Sequence, residues 1–419
     1  MLRRSLGEGR DRNDDLGRRP KVEAAPETPG PGLPRGLLPL LTALVFVVFM
    51  DGRVMTAMLP KIADDLGTSI ASAGLALTGY LLAYGVFQLA YGPLADRVGE
   101  VWVIAVVCVG FAVAVGLTAL APDIVALVGI RLVAGALAAA FFPLSLATVG
   151  SLVAYESRQS AIGALLAALA LGQIFGAAVG GFVTEAFSWR VMFALDGVLA
   201  LLLVAPLWRF RRATPPAPGR PGGRPLEAQR RLLRDRQATV IYAIVFVEGA
   251  AFFGGLGYLG ALLHDEYGLS LNEVGLVLVL DGLGLLVTSR LLGRIAPRLG
   301  ENRMILTGAL FMGGAYLLVL VVANWQAVVP AAVLLGAGFA LCHSTLQTRA
   351  TELAPEAMAT AISLFAFSLF VGSAAGTAVL GQLVESRGYG ALLLSCGVAL
   401  VLLGVAAPRL TAPPSAASQ

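Results

Sequence analysis

Residues 91–101 read "YGPLADRVGEV", a Gly-bounded polar run with one Asp and one Arg set between two long apolar stretches. The run recurs. "GPLADRVGE" at 92–100 realigns with "GRIAPRLGE" at 293–301, an offset of 201 residues that pairs Gly92 with Gly293, Ala95 with Ala296, Arg97 with Arg298, Gly99 with Gly300 and Glu100 with Glu301. Gly172, Gly176, Gly181 and Glu185 pair in the same way with Gly372, Gly376, Gly381 and Glu385, at an offset of 200. Self-similarity at this spacing in a chain of 419 residues means two halves of one design.

The halves are membrane bundles. The chain is 57% hydrophobic and only 13% charged, with mean hydropathy +0.81, far from the composition of a soluble domain. About 20 apolar residues cross a hydrocarbon core of about 30 Å as a helix. Such segments are predicted at 37–59, 72–94, 102–121, 124–148, 161–184 and 190–208, then at 237–262, 272–295, 304–323, 326–349, 358–383 and 388–407. The expected fold is therefore all-α, with twelve transmembrane helices in two pseudo-symmetric six-helix bundles, 37–208 and 237–407. Between them, residues 209–236 carry nine Arg against one Glu and one Asp, with a Pro/Gly-rich middle that cannot hold a continuous helix. This segment reads as a cytoplasmic linker. Residues 1–36 read as a disordered cytoplasmic tail, lacking the pattern of a signal peptide, and 408–419 as a cytoplasmic tail. With the N-terminus inside, the opposite loops hold only Lys61, Arg190 and Arg387, so both termini are expected to be cytoplasmic.

This layout decides between function classes. The pI near 9.1 reflects basic residues flanking membrane spans, and no nucleic-acid partner is expected. Cys108, Cys342 and Cys396 fall in separate spans without metal-ligand spacing and read as small core residues. No Gly-rich phosphate loop, metal cluster or nucleophile–base constellation is recognisable, so neither ATP hydrolysis, a cofactor nor an enzyme is expected. Tandem parallel halves with a path between them describe a secondary transporter.

The pattern Gly-x-Leu-Ala-Asp-Arg-x-Gly, supplied by Gly92, Leu94, Ala95, Asp96, Arg97 and Gly99 between the second and third spans, resembles the signature loop of the major facilitator superfamily. The resemblance covers about residues 37 to 407. It implies a gating loop at Gly92, Asp96, Arg97 and Gly99, with a second copy at Gly293, Arg298 and Gly300. Glu100 and Val101 replace the usual basic pair, and Pro297 takes the Asp position, which implies a weakened clasp on neighbouring helix ends. "LGQIFGAAVGGF" places Gly172, Gly176 and Gly180 on one helix face, a seam for close backbone approach repeated at Gly372 and Gly376. It resembles the family's antiporter motif, with Ala177 where Pro is usual. "MDGRVMTAMLP" is similar to the first-span motif of drug/proton antiporters at Asp51, Leu59 and Pro60, with Arg53 in place of Thr, and "SWRVMF" at 188–193 is also familiar from such exporters. Arg131 with Gly135 resembles the Arg-containing fourth-span motif linked to proton coupling.

A charge at the centre of a spanning helix costs at least about 2.5–3.5 kcal/mol on insertion scales and is a functional candidate by default. Seven lie near or within spans: Asp51, Arg53, Arg131, Asp196, Glu248, Asp281 and Arg290. A proton-coupled carrier needs a carboxylate whose protonation responds to burial and to a nearby cation, and Asp51 with Arg131 would supply that pair. Asp51 and Arg53 stand about 200° apart around a helix and cannot pair with each other, so Arg53 is expected to meet Glu248 or Asp281. Either acid could carry the proton, anchor a cation or form a structural pair. Asp196 and Arg290, nearer span ends, read as structural. His343 could relay a proton or simply pack. Arg53, Met55, Tyr84, Gln88, Gln173, Phe252 and His343 are candidate cavity residues, with Tyr80, Phe87, Phe253 and Gln347 of similar character.

The expected function is proton-coupled efflux of small lipophilic or cationic compounds by alternating access. The expected protein is a monomer in the lipid bilayer of a bacterial inner membrane. An importer or exporter of sugars or metabolites on the same fold, and a non-transporting sensor, are the alternatives.

Overall fold

The computed structural model describes residues 32–215, 225–352 and 358–411. The expected tails 1–36 and 408–419 and the middle of the linker fall largely outside this set. The first half runs α1 (Leu37–Asp65), α2 (Ile70–Val98), α3 (Glu100–Thr118), α4 (Ile124–Ala138), α5 (Phe141–Leu152), α6 (Tyr155–Ala186) and α7 (Trp189–Arg209). A linker helix, α8 (Pro225–Arg234), follows. The second half runs α9 (Arg236–Asp265), α10 (Leu271–Leu299), α11 (Glu301–Val322), α12 (Trp325–Glu352) and α13 (Met358–Leu410). Among the described residues there is no strand.

Among the described residues, eleven helices are long and apolar enough to cross a bilayer, counting α4 and α5 as one and α13 as one. A straight helix of 53 residues would be about 80 Å long, against a hydrocarbon core of about 30 Å. α13 is therefore two crossings. Gly388, at φ 78° and ψ 174°, breaks it with a backbone conformation that favours glycine. The break between α4 and α5 has a different cause: Pro143 has no N–H to donate to the Ala139 carbonyl, and the helix restarts at Phe141.

The remaining helix starts are written locally. Ser69, Asp123, Ser188 and Asp235 each accept a backbone N–H three residues on, and Ser270 with Glu273 forms a reciprocal capping box. The signature stretch is more helical than its motif suggests. α2 runs through Gly92–Pro93 to Val98, and the expected loop is the single residue Gly99 at φ 93°, copied by Gly300 at φ 71° between α10 and α11. The linker also holds more structure than composition indicates. Thr214 is buried and accepts from the Val101 amide at 2.9 Å, while Leu232 of α8 is buried.

Internal symmetry extends beyond the motifs. Trp189 Nε1 donates to Asp65 at 3.1 Å and the Tyr389 hydroxyl donates to Asp265 at 2.5 Å, two bonds displaced by 200 residues that tie the sixth crossing of each half to its first. The glycine seams follow suit. Gly172, Gly176 and Gly180 face the α1 backbone at Phe46, Met50 and Val54, and Gly372 and Gly376 face the α9 backbone at Phe246 and Ala250. A side chain at these positions would push the helices apart.

The halves touch each other from mid-depth to the end away from the linker. Gly85 meets Phe370, Gly282 meets Ile174, Gly260 meets the Thr56 backbone and Gly181 meets Leu271. At that far end Glu185 accepts from the Asn272 amide at 2.6 Å and Glu385 accepts from the Ala71 amide at 3.2 Å. Each half's fifth crossing thus places a carboxylate on the N-terminus of the other half's second crossing. Toward the linker end, Gly92 and Gly293 have open space around them and Phe87, Leu94 and Leu291 are exposed. The contacts that hold the two halves together thus lie at mid-depth and at the far end. A carboxylate at a helix N-terminus contributes about 0.3–1 kcal/mol. Glu185→Gln with Glu385→Gln should therefore raise the ratio of molecules open to closed at the far end by roughly three- to thirtyfold. A spin-label distance between the far ends of α2 and α13 reads this, and an unchanged distribution would show that the two bonds do not hold the gate.

Candidate functional site

The polar centre begins with a missing side chain. Arg131 and Gly135 lie one turn apart on the same face of α4, and Gly135 meets the Tyr80 backbone directly. This closeness lays the Arg131 guanidinium over the Tyr80 ring at 4.3 Å, with the Phe193 ring of α7 at 5.1 Å. Arg131 Nη1 then donates to Asp51 Oδ1 at 2.6 Å, and Nη2 to the Asp51 carbonyl at 3.3 Å. Both side chains have no exposure to solvent. A buried ion pair recovers its desolvation cost only when its remaining polar atoms are also satisfied. Here they are not: Asp51 Oδ2 and Arg131 Nε have no hydrogen-bond partner among the described residues.

Asp196 joins this centre, contrary to its reading as a structural residue near a span end. It is wholly buried, both its carboxyl oxygens are without a hydrogen-bond partner, and it interacts electrostatically with Asp51 and Arg131. Its place seven residues into α7 suits a headgroup region on sequence alone. The helix instead turns the face shared by Phe193 and Asp196 toward α1 and α4.

A second charged pair crosses between the halves. Arg53 of α1 donates to Asp281 of α10 at 2.6 Å, with side-chain exposures of 8% and 9%. Of the two partners open to Arg53 in the sequence, Asp281 is the one it meets. Gly336 packs on the Asp281 backbone as Gly135 packs on Tyr80, 201 residues earlier in the chain. The repeat thus puts an acid in the second half where the first has a tyrosine. Glu248 pairs with His343 instead. His343 Nδ1 lies 2.9 Å from Glu248 Oε2, and the imidazole stacks on Phe339 at 4.5 Å and tilts against Phe365 at 4.9 Å.

Between the halves lies a cavity whose empty volume is about 690 Å³, counting the solvent at its mouth. Arg53, Tyr84 and Gln173 line it, as do Tyr80, Phe253 and Phe370. Its wall is largely aromatic and aliphatic, with Arg53 its one charged residue among those described. Other candidates fall elsewhere. Met55 is wholly buried in the α1 core, because its side chain points away from the cleft. Phe252 is buried and stacks on Phe339, leaving its neighbour Phe253 at the cavity. Gln88 lies at partly exposed depth toward the linker end, and His343 is held by Glu248; neither lines the cavity.

At the linker end, Asp96 and Arg97 are exposed, and Asp96 makes no polar contact within the described set. The second copy is tied down by a residue that motif reading missed. Arg349, buried, donates from Nε to Glu301 at 2.9 Å, from Nη2 to Asn302 at 2.7 Å and from Nη1 to Thr411, joining the ends of α11, α12 and α13. Arg298 is exposed. Arg349 was legible only as a basic residue at a span terminus, where snorkelling is the ordinary explanation.

Comparison with known proteins fits this geometry. The chain is 27% identical over 360 residues to the uncharacterized MFS-type transporter YceJ of Bacillus subtilis, covering 83% of this chain and 89% of that one. It is 35% identical over 192 residues to the puromycin resistance protein pur8 of Streptomyces alboniger, covering 46% of this chain and 38% of that one. A crystal structure of a bacterial homologue of the human lysosomal transporter Spinster, inward-facing and unoccupied, superposes with a TM-score of 0.69 at 18% identity, over 89% of this chain and 95% of that one. The family model of the Major Facilitator Superfamily matches residues 41–377, with an overlapping second match over 241–419. With two six-crossing halves, a cleft between them and this match across most of its length, the chain is a multi-pass membrane transporter, not an enzyme, and belongs to the Major Facilitator Superfamily.

Proposed function

We propose that this transporter exports small lipophilic or cationic compounds in exchange for protons, by rocking residues 37–208 against 237–407. The observation that carries this reading is the fully buried Asp51–Arg131 pair one residue behind the cavity wall, which Gly52 and Tyr80 help to form. The conformation open at the linker end is the one that takes up cargo from the cytoplasm, with both termini on that side. Entry of a compound against the Tyr80 ring would disturb the guanidinium resting on the same ring and release a proton. Return of a proton from the far side would reset the pair. The bland lining favours lipophilic cargo over sugars, which need a wall of hydrogen-bonding groups. The similarity to a puromycin resistance protein supports the same choice. We place the protein in a bacterial inner membrane as a monomer, with no nucleic-acid partner.

Puromycin is a suitable probe, being lipophilic and basic. Expressing cells should tolerate several-fold more of it than cells carrying an empty vector. Everted membrane vesicles should accumulate puromycin when their lumen is acidified. Unchanged tolerance, together with gradient-driven uptake of a sugar by intact cells, would overturn the export reading in favour of a metabolite carrier.

A further inference from the structure

Three polar atoms of two carboxyl groups are left without partners at one place. Asp51 Oδ2 and both oxygens of Asp196 are buried, and neither residue has any solvent exposure. Two ionised carboxylates are both acceptors and can offer each other nothing, whereas one proton turns either of them into a donor for the other. Charge bookkeeping points the same way. The charged and titratable groups facing this spot are Asp51 from α1, Tyr80 from α2, Arg131 from α4 and Asp196 from α7. A single guanidinium balances one carboxylate, and a second negative charge buried beside the first is strongly disfavoured unless it is neutralised.

We infer that Asp196 is a second proton-holding residue of the coupling site, sharing one proton with Asp51 above the Arg131 guanidinium. The proton comes from water, forms one O–H bond on Asp196 and is accepted by Asp51 Oδ2. On release it returns to water and leaves the two carboxylates competing for Arg131. The position of Asp196 follows from α7 itself: Phe193, three residues earlier and hence on the same face, touches the guanidinium with its ring. This inference rests on the proton-coupled reading of Asp51 and Arg131, but its spectroscopic test needs no transported compound.

Infrared difference spectra of the full-length protein in lipid nanodiscs, taken across a pH titration, read protonated carboxyl groups directly. Wild type near neutral pH should show a protonated-carboxyl stretch that shifts on deuteration. Asp196→Asn should lose that band, and Glu248→Gln should keep it. A wild-type spectrum with no such band would overturn the inference, and so would a band that survives Asp196→Asn. If Asp196→Asn does not accumulate, Asp196→Glu serves instead, since it should retain the band at a shifted frequency; an unshifted band would count against Asp196. In proteoliposomes Asp196→Asn should lose puromycin transport driven by a pH gradient yet keep puromycin exchange at equal concentration. A merely structural role would lower both together.

Discussion

Asp51→Asn should abolish gradient-driven export while leaving a protein that still inserts in the membrane. The reasoning is electrostatic. Removing one member of a buried ion pair leaves the other uncompensated at about 3–5 kcal/mol, and 3 kcal/mol is already more than a hundredfold, roughly, in an equilibrium. The Asn side chain retains an oxygen for Arg131 Nη1, so the stability loss should fall at or below the low end of this range. Function should not be spared in the same way, because an amide cannot take up a proton at neutral pH. Arg131→Met should be at least as damaging to coupling, since it leaves Asp51 buried with no cation at hydrogen-bond distance. Both variants are checked by puromycin accumulation in everted vesicles with and without an acid lumen. Gradient-driven accumulation at wild-type rates in Asp51→Asn would remove this residue from the coupling role.

The Arg53–Asp281 pair should respond to substitution in a different pattern. It bridges the two halves, with Arg53 on the cavity wall and Asp281 behind it, so each partner alone holds a charge that is nearly buried. Arg53→Ala and Asp281→Ala should each lower transport strongly and destabilise the protein by an amount near that of other broken buried pairs, about 3–5 kcal/mol. Removing both should cost less than the two single changes together, because no unpaired charge then remains. Exchanging them, Arg53→Asp with Asp281→Arg, should recover much of the stability. Thermal unfolding in detergent for the two single variants and the double variant measures the coupling. Strictly additive losses would show that the 2.6 Å contact carries no interaction energy of its own.

Sequence and structure agree on architecture because hydrophobic length and repeat spacing are one-dimensional signals. Twelve crossings follow from apolar runs, and the two-half design follows from "GPLADRVGE" and its copy. Glycine seams are legible for the same reason, since residues four apart on a helix must share a face. What escapes is depth and rotation. Asp196 sits seven residues into α7, a position that suits a headgroup contact or a buried site depending on helix tilt, which local sequence does not encode. Met55 and Phe252 suit a cavity by residue type, but their helices turn them into the core. The capping roles of Glu185 and Glu385 were visible as a repeat and not as contacts, because each partner lies in the opposite half.

These differences converge on the proposed coupling centre. Asp51, Arg131, Tyr80 and Asp196 come from four helices, and the cavity touches them only through Tyr80 and the Gly52 backbone. A compound in the cleft and a proton behind its wall can influence each other across this thin partition without meeting.

The most direct measurement is proton release from purified, lightly buffered protein on addition of puromycin, with binding followed separately by intrinsic fluorescence. The account predicts that wild type releases protons as it binds and that Asp51→Asn binds without releasing any. Saturable binding to wild type with no proton release would contradict proton exchange and point to a uniporter or to a different coupling ion.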